Sequence, residues 1–325
     1  MKFNKIILVT GAAGFIGSSL INQLLKNENI IVVGVDNLNK YYDIHLKLKN
    51  IRRNKNDRFV MLHYDITDSK LVDKLFNEWD ITEVYHLAAQ AGVRYSIDHP
   101  NEVIQTNIIG FQNILNNCIK HNINKIIYAS SSSVYGNLTD TDDVEYERTD
   151  SQMSPYAVTK KCNELMAQMY SNLYPQLKMS GLRFFTVYGP YMRPDLAIGK
   201  FTKAILNNEP INIYGDGTKE RDFTYIDDIV NIMIEIMNSE KNWHHEIFNI
   251  GCGNSISVNE LVSIIKDNIN PLYDKINYVD NALGDVDKTY ASNHKIKDWF
   301  DISPKTRIQD GINKYINWYK NDNNT

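Results

Sequence analysis

Tyr156 and Lys160 stand four residues apart in the segment Ser154-Pro155-Tyr156-Ala157-Val158-Thr159-Lys160. On a helix that spacing puts both side chains on one face. An ammonium beside a phenol favours the phenolate, so the tyrosine becomes able to take a proton from a hydroxyl near neutral pH. A Tyr-x-x-x-Lys pair alone is common, and its weight comes from its neighbours. Upstream, residues 129–136 read Ala-Ser-Ser-Ser-Ser-Val-Tyr-Gly directly after an apolar run. A serine at the carboxyl edge of a parallel sheet stands where such sheets bind ligands, and it can steer a reacting proton. A plain polar loop would account for any one of those serines equally well.

Residues 10–17 read Thr-Gly-Ala-Ala-Gly-Phe-Ile-Gly, with Gly11, Gly14 and Gly17 in G-x-x-G-x-x-G spacing. The first glycine allows a sharp turn out of a strand. The second lets backbone amides approach a pyrophosphate, and the third lets helix and strand pack closely. The diphosphate would then lie on a helix N-terminus, where free N–H groups and the dipole favour anions. Asp36 follows nineteen residues after Gly17. A carboxylate there accepts from a ribose diol and repels a 2′-phosphate, which predicts NAD over NADP. Asp65 and Ile66 come after the third strand, where an adenine edge would lie.

The elements that must position these residues are legible in the pattern. Ile6–Val9, Ile30–Val35, Arg58–Leu62, Glu83–Leu87 and Lys125–Ala129 are short apolar runs, separated by segments of helical period near 68–78 and 100–121. Strands apolar throughout, alternating with amphipathic helices, predict a parallel sheet covered on both faces. A long helix is predicted over 155–174, a sixth strand over 177–182, and a final helix over 304–320 opened by Pro304. The expected fold is α/β: a Rossmann-type doubly wound parallel sheet at 1–183, then a smaller mixed α/β substrate-binding lobe at 184–325, with some exchange of chain between them.

The 325 residues carry 35 Lys and Arg against 39 Asp and Glu, a net charge of −4, so no basic excess suggests a nucleic-acid partner. Three cysteines at long spacings form neither a disulfide framework nor a zinc site, and no metal is expected. No apolar stretch is long enough to span a bilayer. The expectation is a soluble, cytoplasmic protein with no membrane partner.

Taken together, Thr-Gly-Ala-Ala-Gly-Phe-Ile-Gly, His86-Leu87-Ala88-Ala89-Gln90, the serine run, Ser154–Lys160 and Arg221-Asp222-Phe223-Thr224-Tyr225 resemble the extended short-chain dehydrogenase/reductases that act on nucleotide sugars. The resemblance covers about residues 5–320. It implies Tyr156 and Lys160 as the catalytic pair with Ser131 as third member. It further implies an NAD site that includes Phe15, Ile16, Asn37, Leu87, Ala88 and Ala89, with Phe184 and Val187 at the nicotinamide. Relatives that eliminate water carry Asp-Glu after the triad residue, and decarboxylating relatives carry Glu at the second of those positions. Here Ser132 and Ser133 stand there, which leaves epimerisation. Residues 36–43, 92–100 and 183–197 resemble the UDP-glucuronate 4-epimerase branch. By that resemblance Ser132, Ser133, Thr186 and Arg193 surround the sugar carboxylate, and Arg94 also contacts substrate. Asn212 and Tyr214 flank the uracil, Arg221 meets the diphosphate, and Asp285 binds the uridine ribose. Many relatives have Arg where Ala282 stands. The resemblance also implies a homodimer paired through the helices near 100–121 and 155–174. The neutral UDP-hexose 4-epimerases are the competing branch, and the competing class is a non-catalytic dinucleotide sensor, a kind of protein that tends to lose the Tyr and Lys present here at 156 and 160.

Overall fold

In the computed structural model, residues 5–136, 144–147, 149–281 and 286–323 are described. The chain divides into two compact units. One comprises 1–136, 147–183 and 233–248; the other comprises 137–146, 184–232 and 249–325.

The first unit is built on a seven-stranded sheet. Its strands are β1 (Lys5–Thr10), β2 (Ile30–Val35), β3 (Phe59–Leu62), β4 (Glu83–His86), β5 (Lys125–Ser131), β6 (Lys178–Phe184) and, from the distal chain, a strand over His245–Ile250. From one edge the order is that distal strand, then β6-β5-β4-β1-β2-β3. β1 pairs in parallel with β2, Lys5 opposite Ile30, and with β4, Ile7 opposite Glu83. The order reverses direction at β1, and ligands bind beyond the carboxyl ends of strands at such a point. Around the strands lie α1 (Phe15–Leu24), α2 (Ile44–Arg53), α3 (Ser69–Glu78), α4 (Val93–Asp98), α5 (Pro100–Ile104), α6 (Gly110–Lys120) and α7 (Pro155–Leu173). Leu8, Val33, Val35, Val84 and Ile126 of the strands share a core with Val72, Leu75 and Phe76 of α3 and Phe111, Ile114 and Leu115 of α6. Each such side chain contributes about 1.5–3 kcal/mol on burial.

The helical period predicted over 100–121 is present but interrupted. Gln105–Ile109 form a π turn between α5 and α6, closed by the Gly110 amide donating to the Gln105 carbonyl. The extra residue frees backbone groups that an α-helix would consume, and such turns often mark functional sites.

In the second unit, β7 (Thr186–Tyr188) runs parallel to β9 (Glu220–Tyr225), and β9 pairs antiparallel with β11 (Ser255–Ser257). β8 (Ile211–Tyr214) and β12 (Ile276–Val279) form a parallel pair. The strand over His245–Ile250 is β10. The helices are α8 (Ala197–Leu206), α9 (Ile226–Asn238), α10 (Val258–Ile269), α11 (His294–Phe300) and α12 (Ile308–Asn323). α9 and β10 each contribute residues to both units. Asp222, fully buried on β9, accepts from the amides of Cys252 (2.7 Å), Gly253 (2.8 Å) and Ala291 (3.2 Å). Burial pushes its carboxyl up to about 6 despite those bonds.

The last helix is a correction. The sequence pattern placed its start after Ser303 with Pro304 in the first turn, but residues 302–307 have no regular structure. The Thr306 amide, which would sit in that first turn, instead donates to the Asp228 carboxylate at 2.9 Å. A side-chain acceptor on α9 outcompetes the local capping signal.

Candidate active site

β1 ends at Thr10, and Gly11 turns the chain with φ +70. A Cβ there would come within 2.8 Å of the Ala88 nitrogen. One at Gly17 would strike the Gly11 carbonyl oxygen, so only glycine lets the turn and α1 lie this close. Gly14 caps α1 in an extended conformation, leaving its first-turn amides directed out of the helix end. Phe15 is buried and Ile16 half-buried. The opposite wall is 87–89. Thr10 Oγ1 accepts from the amides of Leu87 (3.2 Å) and Ala88 (3.1 Å), which pins that loop to β1; Leu87, Ala88 and Ala89 stay half-buried.

Asp36 directly follows β2 and is 9% exposed. Its carboxylate accepts from the Ala13 amide (3.2 Å) and the Leu38 amide (2.9 Å). Asn37 donates to Asp65 at 2.9 Å, and Asp65 also accepts from the Thr67 amide and hydroxyl. Burial pushes the Asp65 carboxyl up, but the Asn37 and Thr67 bonds outweigh it and hold it below its ordinary value. Ile66 is buried against Gly110. The glycine cradle, helix end and acidic strand end thus fit a dinucleotide: close backbone approach for a diphosphate and a carboxylate for a ribose diol.

Ser154 caps α7, accepting from the Ala157 amide at 3.2 Å, with Pro155 in the first turn. That start fixes Tyr156 and Lys160 on one helical face. The Lys160 ammonium lies 5.8 Å from the Tyr156 ring centroid and donates to the Ala129 carbonyl at 2.7 Å. Lys160 is 3% exposed, and burial brings its pKa down to about 8. Tyr156 itself is half-buried. Ser131 ends β5, and its Oγ accepts from the amide (3.2 Å) and the hydroxyl (2.9 Å) of Ser133. Two donors at that oxygen direct the Ser131 proton elsewhere. Ser132 and Ser133 open a single 3-10 turn and are half-buried. Arg94 is exposed on α4.

Behind these groups lies machinery that the sequence reading missed. Glu164 continues the Tyr156–Lys160 face at the next i+4 position. It receives a bidentate pair from Arg183 (2.8 and 2.9 Å) and the Ser130 hydroxyl (2.6 Å), all buried. The Arg183 guanidinium lies 4.6 Å from the Tyr135 ring centroid. Asn107, in the π turn, exchanges hydrogen bonds with the Gln90 backbone and donates to Thr159 Oγ1 at 2.9 Å. Its own carbonyl accepts from Asn163 at 2.7 Å. The i, i+4, i+8 spacing could have revealed Glu164; nothing local marks Asn107.

The remaining expected contacts lie in the second unit. Phe184 and Val187 are buried and Thr186 is half-buried. Arg193 pairs with Asp195 through Nε and Nη2, both at 2.9 Å. Asn212 and Tyr214 are exposed on alternate positions of β8. Arg221 donates to the carbonyls of Glu220 (2.7 Å), Val286 (2.6 Å) and Asp287 (3.2 Å). Asp285 and Ala282 lie outside the described residues. Among the described residues, no group of three His, Cys, Asp or Glu could hold a metal ion, and no helix is long and apolar enough to cross a membrane.

The model of the NAD dependent epimerase/dehydratase family matches residues 7–251, which contain the glycine cradle, Ser131, Tyr156 and Lys160. The chain belongs to that family. Among the relatives of this NAD-dependent epimerase/dehydratase, the UDP-glucuronate 4-epimerase of Thermodesulfobacterium geofontis is 40% identical over 96% of this chain and 95% of its own. A crystal structure of UDP-glucuronic acid 4-epimerase from Bacillus cereus with UDP-glucuronic acid and NAD superposes with a TM-score of 0.91. It is 35% identical over 97% of this chain and 99% of that one. The UDP-glucose 4-epimerase of Thermotoga maritima, solved with UDP-glucose, gives a TM-score of 0.87 at 31% identity, over 98% and 99%.

Proposed function

We propose that the protein interconverts UDP-glucuronate and UDP-galacturonate by epimerisation at C4. NAD, when bound, supplies the acceptor and donor of the C4 hydride. Tyr156, as phenolate, accepts the proton of the C4 hydroxyl and returns it after the 4-keto sugar has presented its other face. Lys160 keeps the phenolate favourable through its charge. Ser131, with its oxygen occupied by Ser133, donates toward the reacting oxygen. The carrying observation is the Tyr156–Lys160 pair, its ammonium anchored on the Ala129 carbonyl of β5 two residues before Ser131.

The uronate reading rests on Arg193, which with Ser132, Ser133 and Thr186 would hold the C6 carboxylate. A 4-keto uronate is a β-keto acid and loses CO₂ when its C5–C6 bond stands perpendicular to the carbonyl plane. A guanidinium and several hydroxyls can hold the carboxylate away from that geometry. One observation favours the neutral-hexose branch instead: Arg193 already faces an internal carboxylate, Asp195. An NMR time course with UDP-glucuronate and, separately, UDP-glucose decides. UDP-galacturonate from the first and no turnover of the second supports the proposal. Turnover of UDP-glucose alone overturns it.

Three further assignments belong to this reading. The first unit holds NAD and the second holds the UDP-sugar, including Asn212, Tyr214, Arg221 and Asp285. The protein works in the cytoplasm. It acts as a homodimer, since Leu165, Met169 and Leu173 of α7 are 60%, 44% and 64% exposed, beside Tyr170 and Tyr174. An apolar helical face of that kind calls for a partner. Light scattering that gave a monomer mass at micromolar concentration would refute the dimer.

A further inference from the structure

Asp36 is not the sole charge at the ribose edge. Lys47, on the first turns of α2, reaches back so that its ammonium lies 3.8 Å from Asp36 Oδ1. The lysine is 5% exposed and Asp36 9%. Lys47 Nζ also donates to Asn39 Oδ1 at 2.7 Å and lies 5.0 Å from the Tyr42 ring centroid. Asn39 in turn donates to Gln90 at 2.9 Å, so the ammonium is held in place from several sides. The α2 N-terminus that delivers it is capped by Asp43, which accepts from the His45 amide at 2.9 Å. Burial lowers the Lys47 pKa, and Asp36 opposes that shift.

The electrostatic consequence concerns dinucleotide choice. An isolated buried carboxylate would repel a 2′-phosphate strongly. A carboxylate with an ammonium 3.8 Å away presents a nearly neutral pair. We propose that Lys47 is a selectivity-determining residue for the dinucleotide, moderating the exclusion of NADP by Asp36 and forming, once Asp36 is uncharged, the cationic half of a 2′-phosphate site. The proposal rests on the assignment of Asp36 to the ribose. A cation fixed at the rim of that diol offers a charge-assisted hydrogen bond to a phosphate oxygen. Such a bond is worth about ten- to a hundredfold in affinity.

The test is a two-by-two cycle read by binding, not turnover: dissociation constants of NAD and NADP for protein stripped of nucleotide, by calorimetry. The variants are Asp36→Asn, Lys47→Met and the double. Asp36→Asn is expected to bind NADP about tenfold or more tighter than wild type, and the double variant to lose that gain. Lys47→Met alone is expected to widen the NAD-over-NADP ratio, because Asp36 is then uncompensated. Lys47→Arg, which keeps the charge, should preserve the gain in an Asp36→Asn background and guards against a folding defect of the methionine. Equal NADP affinity in Asp36→Asn and the double variant overturns the role of Lys47 and leaves Asp36 at the ribose. An Asp36→Asn variant with unaltered affinity for both dinucleotides overturns the ribose assignment itself.

Discussion

Removing Arg183 should unfold the catalytic end of the first unit before it affects anything else. The guanidinium is 2% exposed and is held by both oxygens of Glu164 at 2.8 and 2.9 Å. In Arg183→Leu, Glu164 stays buried with the Ser130 hydroxyl and, at 3.6 Å, the Lys161 ammonium. Breaking a buried pair by removing one partner costs about 3–5 kcal/mol. At about 2–4 °C per kcal/mol for a domain of this size, the melting temperature should fall by roughly 6–20 °C. The double variant Arg183→Leu/Glu164→Leu leaves no uncompensated charge and should recover most of the loss. The assay is thermal denaturation by circular dichroism for wild type, both singles and the double. A pH series adds a second constraint. Burial pushes the Glu164 carboxyl up, but the Arg183 bond and charge outweigh it and hold the group below 4.5. A depressed carboxyl stabilises fully above its unfolded value and loses that stability as pH falls through its folded value. Wild type should therefore weaken below about pH 4.5, whereas in Arg183→Leu burial dominates at Glu164, so lowering the pH should relieve part of the variant's loss. A single variant within 1 kcal/mol of wild type, or a double no better than the single, would refute the argument.

Tyr156→Phe should lower turnover about 10²–10⁴-fold with an unchanged circular dichroism spectrum, as expected on loss of one positioned acid–base group. Arg193→Ala should weaken UDP-glucuronate relative to UDP-glucose by roughly ten- to a hundredfold, measured as paired dissociation constants. Asp195→Asn should shift the same ratio the other way by about two- to fivefold, the scale of an exposed ion pair. Lys160, brought down to about 8 by burial, binds fewer protons folded than unfolded between about pH 8 and 10.5. Stability should rise across that window, and Lys160→Met should remove the rise in a pH series of melting temperatures. In the same series the wild-type rate should decline above about pH 8 as the ammonium that favours the phenolate is lost.

The parts legible in the sequence are those whose chemistry is local. The glycine spacing, the apolar strands, the helix over 155–174 and the Tyr156–Lys160 face each depend on residues within a turn or two. What escaped notice depends on long-range approach. Lys47 meets Asp36 through the turn before α2, and Asn107 reaches Thr159 only because a π turn aims it. Arg183 finds Glu164 across a helix–strand packing that periodicity does not encode. Arg193 illustrates the opposite limit: its motif suggested a ligand for a sugar carboxylate, while the carboxylate it holds lies two residues further on. Pro304 was a sound local signal overruled by Asp228, seventy-six positions upstream.

The first unit is not finished when its last consecutive residue, Arg183, has been made. It also needs residues 233–248, including the start of β10 that lies beside β6. His245, where β10 begins, comes sixty-two positions after Arg183. At ~5–20 residues per second, the nascent chain carries β6 as a bare sheet edge for roughly 3–12 s. An open edge of apolar sequence is a template for pairing with other chains. Order of synthesis thus becomes part of the protein's physical chemistry: the catalytic half waits on the ribosome for a strand encoded well beyond it, and anything that stalls translation between those points prolongs the exposure of Met179 and Leu182, which are fully buried in the folded chain.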